Sequence, residues 1–209
     1  MKYSVLKTKS WQHVLASLLF AAIGLGVGQS RASAIDLGGL RTGHTATLLT
    51  SGQVLIAGGN NETDFLSSAE LYDPVTRNVT AVGAMTTARA NHTATLLRNG
   101  RVLIAGGDQN GVVLDTAEIY DPKRRTFRAL ASVMSTSRNK HTATVLRDGR
   151  VLLAGGSRAD LYDPATNSFT GTTGTPVDRK NHAATLLASG KVLITGGYVS
   201  AQCHLAQAE

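Results

Sequence analysis

The chain has 209 residues, one cysteine, and 21 Lys+Arg against 14 Asp+Glu, a net charge of +7. A single thiol excludes an intrachain disulfide, so packing has to hold the fold, and the length suffices for one ordinary domain core. The positive excess is no argument for nucleic acid, because Lys2, Lys7, Lys9 and Arg31 lie in an N-terminal segment without acids and the remainder, 17 Lys+Arg against 14 Asp+Glu, is nearly balanced.

In chain order, the lysines precede an apolar run from Val14 to Val27, and Ala32-Ser33-Ala34 follows it. Basic, apolar and small-residue stretches in that order predict a signal peptide over 1–34, cleaved after Ala34. The run has 14 residues, two of them glycine, which is short of the roughly 20 needed to cross a bilayer. No cysteine adjoins the cleavage site to carry a lipid. The expected product is secreted or periplasmic, starts at Ile35, and has no membrane span.

From Arg41 onward one pattern recurs. Its glycine pairs are Gly58-Gly59, Gly106-Gly107, Gly155-Gly156 and Gly196-Gly197, spaced 48, 49 and 41 residues apart, and His44, His92, His141 and His182 keep the same spacings. A period of 40 to 50 residues with a glycine doublet reads as propeller blades rather than a helical solenoid. The repeats run 41–88, 89–137 and 138–178, with a partial fourth over 179–197 and a non-repeat tail over 198–209.

Each unit opens with HTATLL or a variant and continues to VLIAGG or a variant. Ser51-Gly52, Asn99-Gly100, Asp148-Gly149 and Ser189-Gly190 stand between these runs and predict hairpins. A third run follows, AELYDP (69–74), AEIYDP (117–122) or ADLYDP (159–164), closed by a proline that cannot donate to a ladder. The fourth is anchored by Val79, Phe127 or Phe169.

The register of R-x-x-H, GG, YDP and an aromatic from Leu40 to Gly197 resembles the kelch repeat, in the form found in exported bacterial proteins and in the galactose oxidase propeller. The resemblance implies an all-β, kelch-type β-propeller, here partial, with three four-stranded blades plus a half-blade. Val79 replaces the aromatic of the pattern, and the tail lacks the next Tyr-Asp-Pro. The expectation is a truncated fragment of a larger propeller that self-associates through its open half-blade.

Arg41, Arg89, Arg138 and Arg179 each stand three residues before a histidine of the repeat. A metal ligand appears where the metal is, whereas a residue the fold needs appears once per blade, and guanidinium groups would crowd an ion. Arginines, histidines and glycine doublets are therefore read as structural, with Glu70, Glu118 and Asp160 as partners for the arginines. No metal, cofactor or catalytic residue is expected. The copper set of galactose oxidase is not matched, since Cys203 lies beyond the last repeat, and neither a G-x-S-x-G elbow nor H-E-x-x-H occurs.

The turns after the first and third runs share one face, rich in Arg77, Arg98, Arg101, Lys123, Arg124, Arg125, Arg147, Arg150 and Lys191. It reads as a solvated surface, with an anionic envelope polymer as the alternative ligand. The opposite face carries loops of different length: NNETDFLSS (60–68), DQNGVVLDT (108–116), and only Ser157-Arg158 in the third repeat. Variable loops on a fixed scaffold are where recognition concentrates. Asn60, Asn61, Glu62, Asp64, Phe65, Asp108, Gln109, Asn110 and Asp115 are the candidate binding residues. The reading is an exported, noncatalytic binding module for a protein or glycan partner; the alternative is a periplasmic sugar mutarotase or epimerase.

Overall fold

The glycine of each short reversal sits in the left-handed region, at φ 86° in Gly52, 81° in Gly100 and 93° in Gly149, where a side chain is strained. The reversals are the hairpins that the sequence predicts, with three-residue loops. Leu49 N donates to Gln53 O at 2.8 Å and Gly52 N to Leu49 O at 3.0 Å, so three residues turn the chain and only the last is left-handed.

In the computed structural model, which describes residues 39–173, 178–200 and 203–204, these reversals join the inner strands of successive antiparallel sheets. The described residues belong to one compact unit, Ile35–Glu209; the expected signal peptide lies outside them. The first sheet contains β1 (Thr45–Leu48), β2 (Val54–Ala57), β3 (Ala69–Tyr72) and β4 (Val79–Ala81), in that spatial order. The second has β5 (Thr93–Leu96) and β6 (Val102–Ala105). A small hairpin of β7 (Asp108–Gln109) and β8 (Val112–Val113) then intervenes before β9 (Ala117–Asp121) and β10 (Thr126–Ala129) complete the sheet. The third is β11 (Thr142–Val145), β12 (Val151–Ala154), β13 (Asp160–Asp163) and β14 (Ser168–Gly171).

β15 (Ala183–Leu186) and β16 (Val192–Thr195) form a two-stranded half-blade. In the tail, β17 (Tyr198–Ser200) pairs with β18 (Cys203–His204), an element the tail sequence gave no reason to expect. The first strands lie against one another in series, β1 on β5, β5 on β11, β11 on β15, so successive sheets stack face to face as blades. The described residues are all-β and form a partial β-propeller of three four-stranded blades and a half-blade, with the sheets not closed into a ring. Among the described residues, no helix is long and apolar enough to cross a membrane.

The aspartate of each YDP run caps the outer turn. Asp73 Oδ1 accepts the Val75 and Thr76 amides at 2.9 and 3.1 Å, and Asp121 Oδ1 accepts those of Lys123 and Arg124 at 3.0 and 3.2 Å, the mechanism by which Asx residues initiate turns. Between the first two blades, Leu49, Leu55, Ala57 and Leu71 pack on Val102, Ile104 and Tyr120. Between the next two, Leu97, Leu103 and Ile119 pack on Val151, Leu153 and Tyr162. The aromatic pairs Tyr120–Phe127 and Tyr162–Phe169, with centroids 4.8 and 5.1 Å apart, link third and fourth strands.

The glycine doublets are where one blade's backbone touches the next. Gly59 N donates to Arg89 O at 2.9 Å and Gly107 N to Arg138 O at 2.8 Å. A Cβ on Gly107 would sit 2.5 Å from Ala90 O, with φ at +95°. Gly107→Ala is therefore expected to destabilise the protein by about 3 kcal/mol through clash and left-handed strain. Urea denaturation checks this; a midpoint unchanged from wild type would contradict it.

Candidate functional site

Arg89 has no solvent exposure, so its donors must be met inside the protein. Nη1 donates to Gly106 O and Thr116 O at 2.7 and 3.1 Å, and Nη2 reaches Glu118 Oε1 at 3.2 Å. Glu118 in turn accepts the amides of Thr86 and Thr87 at 2.8 and 3.0 Å, which fixes the connection leading into the blade. Arg138 repeats the arrangement on Leu153 O and Gly155 O at 2.9 and 2.8 Å and on Asp160, whose Oδ1 accepts Ser135 N at 3.1 Å. Arg41 pairs with Glu70 at 3.1 Å, and Arg179 donates to Gly196 O at 3.0 Å. These are the acids that the repeat pattern places opposite the arginines.

The histidines point the other way along the series. His92 Nε2 hydrogen-bonds Thr45 Oγ1 at 2.9 Å, His141 Nε2 bonds Thr93 Oγ1 at 2.9 Å, and His182 Nε2 bonds Thr142 Oγ1 at 2.8 Å. Each bond joins a blade to the one before it. Beside them Asn91 N donates to Gly43 O, Lys140 N to Asn91 O and Asn181 N to Lys140 O, at 2.8, 3.0 and 2.9 Å. Burial, reinforced by Arg89 and Arg138, holds His92 and His141 down at about 3 from the ordinary 6.5. His44 and His182 are lowered too, by burial first and then by Arg41 and Arg179. The rings are therefore neutral. The threonines escaped the sequence reading, although each directly follows a histidine of the repeat.

The loop residues named from sequence fall into two groups. In the first repeat, Asn60 bridges to Thr42 and Phe65, Asn61 Oδ1 accepts Asp64 N at 2.9 Å, and Asp64 accepts the Thr63 hydroxyl at 2.9 Å. Glu62 is exposed and Phe65 is half-buried. In the second repeat, Asn110 turns the β7–β8 hairpin at φ 49°, with Gln109 before it, and Asp115 follows it half-buried. Asp108 Oδ1 gathers Asn91 Nδ2 and Asn139 Nδ2, at 2.9 and 3.1 Å. This hairpin was not anticipated, although Asn110-Gly111 is the kind of pair that marks one.

The concavity lies beside these loops, where the third repeat has only Ser157-Arg158. A cleft of about 430 Å³ opens there, walled by Val113 of β8, by 136–139, by Gly156 and Ser157, and by Asp178 and Lys180. Its lining offers the hydroxyls of Thr136, Ser137 and Ser157, one acid and one ammonium. Asn139 Oδ1 is buried without a hydrogen-bond partner. Such a mixture suits a polar ligand group rather than an apolar one. On the opposite face, Arg98 Nη2 donates to Leu146 O at 3.4 Å and Arg147 Nη2 donates to Ala188 O, so part of the basic surface ties one blade's turn to the next.

A family model described as the kelch motif matches residues 88–134, the second repeat. No curated protein matches the chain.

Arg89→Met leaves Glu118 buried without its cation, and the expected cost is about 3 kcal/mol. A chelator should leave the wild-type denaturation midpoint in place. A midpoint that drops with chelator would contradict the structural assignment of the histidines. The unfolded chain takes up protons on its histidines below about 6.5, whereas folded His92 and His141 accept them only near 3, so their contribution is complete above 6.5 and is lost as pH falls toward 3. Each should contribute a decline of roughly 1 kcal/mol per pH unit in that window. H92Q/H141Q should show a visibly shallower decline between pH 7 and 4.5, and an unchanged slope would refute the assignment.

Proposed function

We propose that this chain, whose second repeat matches the kelch motif, is an exported, noncatalytic kelch-repeat module that binds a protein or glycan partner through the loop face. A kelch motif implies a protein-type partner in general. The observation that carries the reading is the cleft of about 430 Å³ beside Ser157, with the buried, unpartnered Asn139 Oδ1 at its wall. It sits where the short connection of the third repeat adjoins the longer loop of the second, at Val113, a shape that admits a projecting polar group of a larger partner. The residues favour binding over chemistry: the cleft has a single carboxylate, Asp178, and the Nε2 atoms of His141 and His182 are engaged by threonines. Export rests on the basic, apolar and small-residue order of 1–34.

Ser157→Trp fills the cleft from an exposed position, so stability should stay within about 0.5 kcal/mol of wild type. Crosslinking in the exported fraction should capture a partner with wild-type protein and lose it with this variant. Equal capture by both would refute the cleft as the site. Free sugars monitored by exchange NMR should anomerise at their uncatalysed rate, and acceleration by the protein would transfer the reading to a sugar mutarotase. Mass spectrometry of the exported protein should find Ile35 at its N-terminus, and an intact Met1 would contradict export by cleavage.

A further inference from the structure

Three arginines converge on the outer side of the second blade. Arg101 precedes β6, Arg124 lies in the turn between β9 and β10, and Arg128 stands on β10 in register with Ile119. Together with Asp121, Ile119 and Thr126 they line a concavity of about 290 Å³. Asp121 Oδ2 holds Arg124 Nη1 at 2.9 Å and stands 3.8 Å from Arg101 Nε. Among the described residues the Arg128 guanidinium has no hydrogen-bond or ion-pair partner, while its backbone stays in the β9–β10 ladder. Three guanidinium groups thus face one carboxylate, which positions two of them and leaves the groove with a surplus of two positive charges.

The other repeats act as an internal control on what the fold requires. At the positions of Arg101, Arg124 and Arg128 the first repeat has Gln53, Thr76 and Thr80, and the third has Arg150, Thr166 and Thr170. The first builds the same capped turn without charge, with Gln53 Nε2 donating to Asp73 Oδ2 at 3.3 Å. In the third, Arg150 is bound to Asp148 at 2.7 Å. A residue needed for the blade would recur in each blade, and this trio does not. Repeated positions bind the fold together, whereas a cluster confined to one repeat has another cause.

We propose that this groove is an oxyanion site, taking a sulfate or phosphate monoester carried on a carbohydrate. Guanidinium forks match such tetrahedral anions with paired, charge-assisted hydrogen bonds. Nucleic acid fits less well, because the groove's lining contains no aromatic side chain on which a base could stack. The site lies on the turn side of the blade, away from the cleft at Ser157, and does not depend on the loop-face reading.

The test uses the full exported chain, isothermal titration, and a heparin-derived sulfated oligosaccharide as probe, with neutral dextran and a single-stranded DNA oligomer as comparisons. R124T/R128T restores the residues that the flanking repeats carry, so its melting curve should match wild type. Its affinity for the sulfated probe should fall at least tenfold, while R77N, on the first blade, should bind as wild type does. Wild-type binding should weaken steeply between low and physiological salt and be competed by inorganic phosphate, not by dextran. Equal affinity in R124T/R128T, no binding by wild type, or tighter binding of the DNA oligomer than of the glycan would overturn the proposal.

Discussion

A guanidinium group shut away from water has to find its acceptors in the protein, and at Arg89 and Arg138 both side chains are fully buried. The acceptors are carbonyls at or near the strand ends, at Gly106 and Thr116 or at Leu153 and Gly155, together with one acid from the third strand. That demand explains the pattern around it. The glycine doublet brings the carbonyls within reach and lets the next blade's backbone approach. The acid at position 118 or 160 binds the amides of the incoming connection, at Thr86 and Thr87 or at Ser135. One buried cation therefore sets the end of the second strand, the start of the third and the path between blades.

The histidine supplies the complementary link, backward to the preceding blade. The series changes at the fourth repeat. Ala183 stands where Thr45, Thr93 and Thr142 offer a hydroxyl to the next histidine, and Ala188 stands where Arg98 and Arg147 reach the next turn. The half-blade therefore receives both links without presenting either of its own. Leu187 is 38% exposed there, and Leu48 at the opposite end of the series is 63% exposed. A contact between copies through these ends would have to be built from apolar packing, without the polar links that join blades within the chain.

Much of this was legible in the sequence, because repetition separates what every blade needs from what one blade has. Strand order, the capped YDP turns and the arginine–acid pairs follow from residues recurring in register. The threonines were harder to recognise: HTATLL reads first as a β-type run, and only folding shows that its first threonine faces a histidine 47 or 48 residues later. The cleft was hidden for a related reason. Sequence shows the loops that are present, such as 60–68 and 108–116, and their polar residues invite selection as a site. In the fold, Asn61 and Asp64 brace their own loop, Asp108 reaches Asn91 and, in the next repeat, Asn139, and a concavity forms where the third repeat lacks a loop. A space between elements is a property of packing and has no residue of its own to announce it.

If the polar residues of the repeat are inter-blade links, Thr93 and His141 must be energetically coupled, which a double-mutant cycle measures. Thr93→Val and His141→Leu each remove one side of a buried hydrogen bond, and each alone leaves the other side unsatisfied. Chemical denaturation of wild type, both single variants and the double variant should yield a coupling energy of about 1 kcal/mol or more, with the double variant less destabilised than the sum of the singles. Additivity within about 0.3 kcal/mol would mean that the two residues act independently, and would contradict the account.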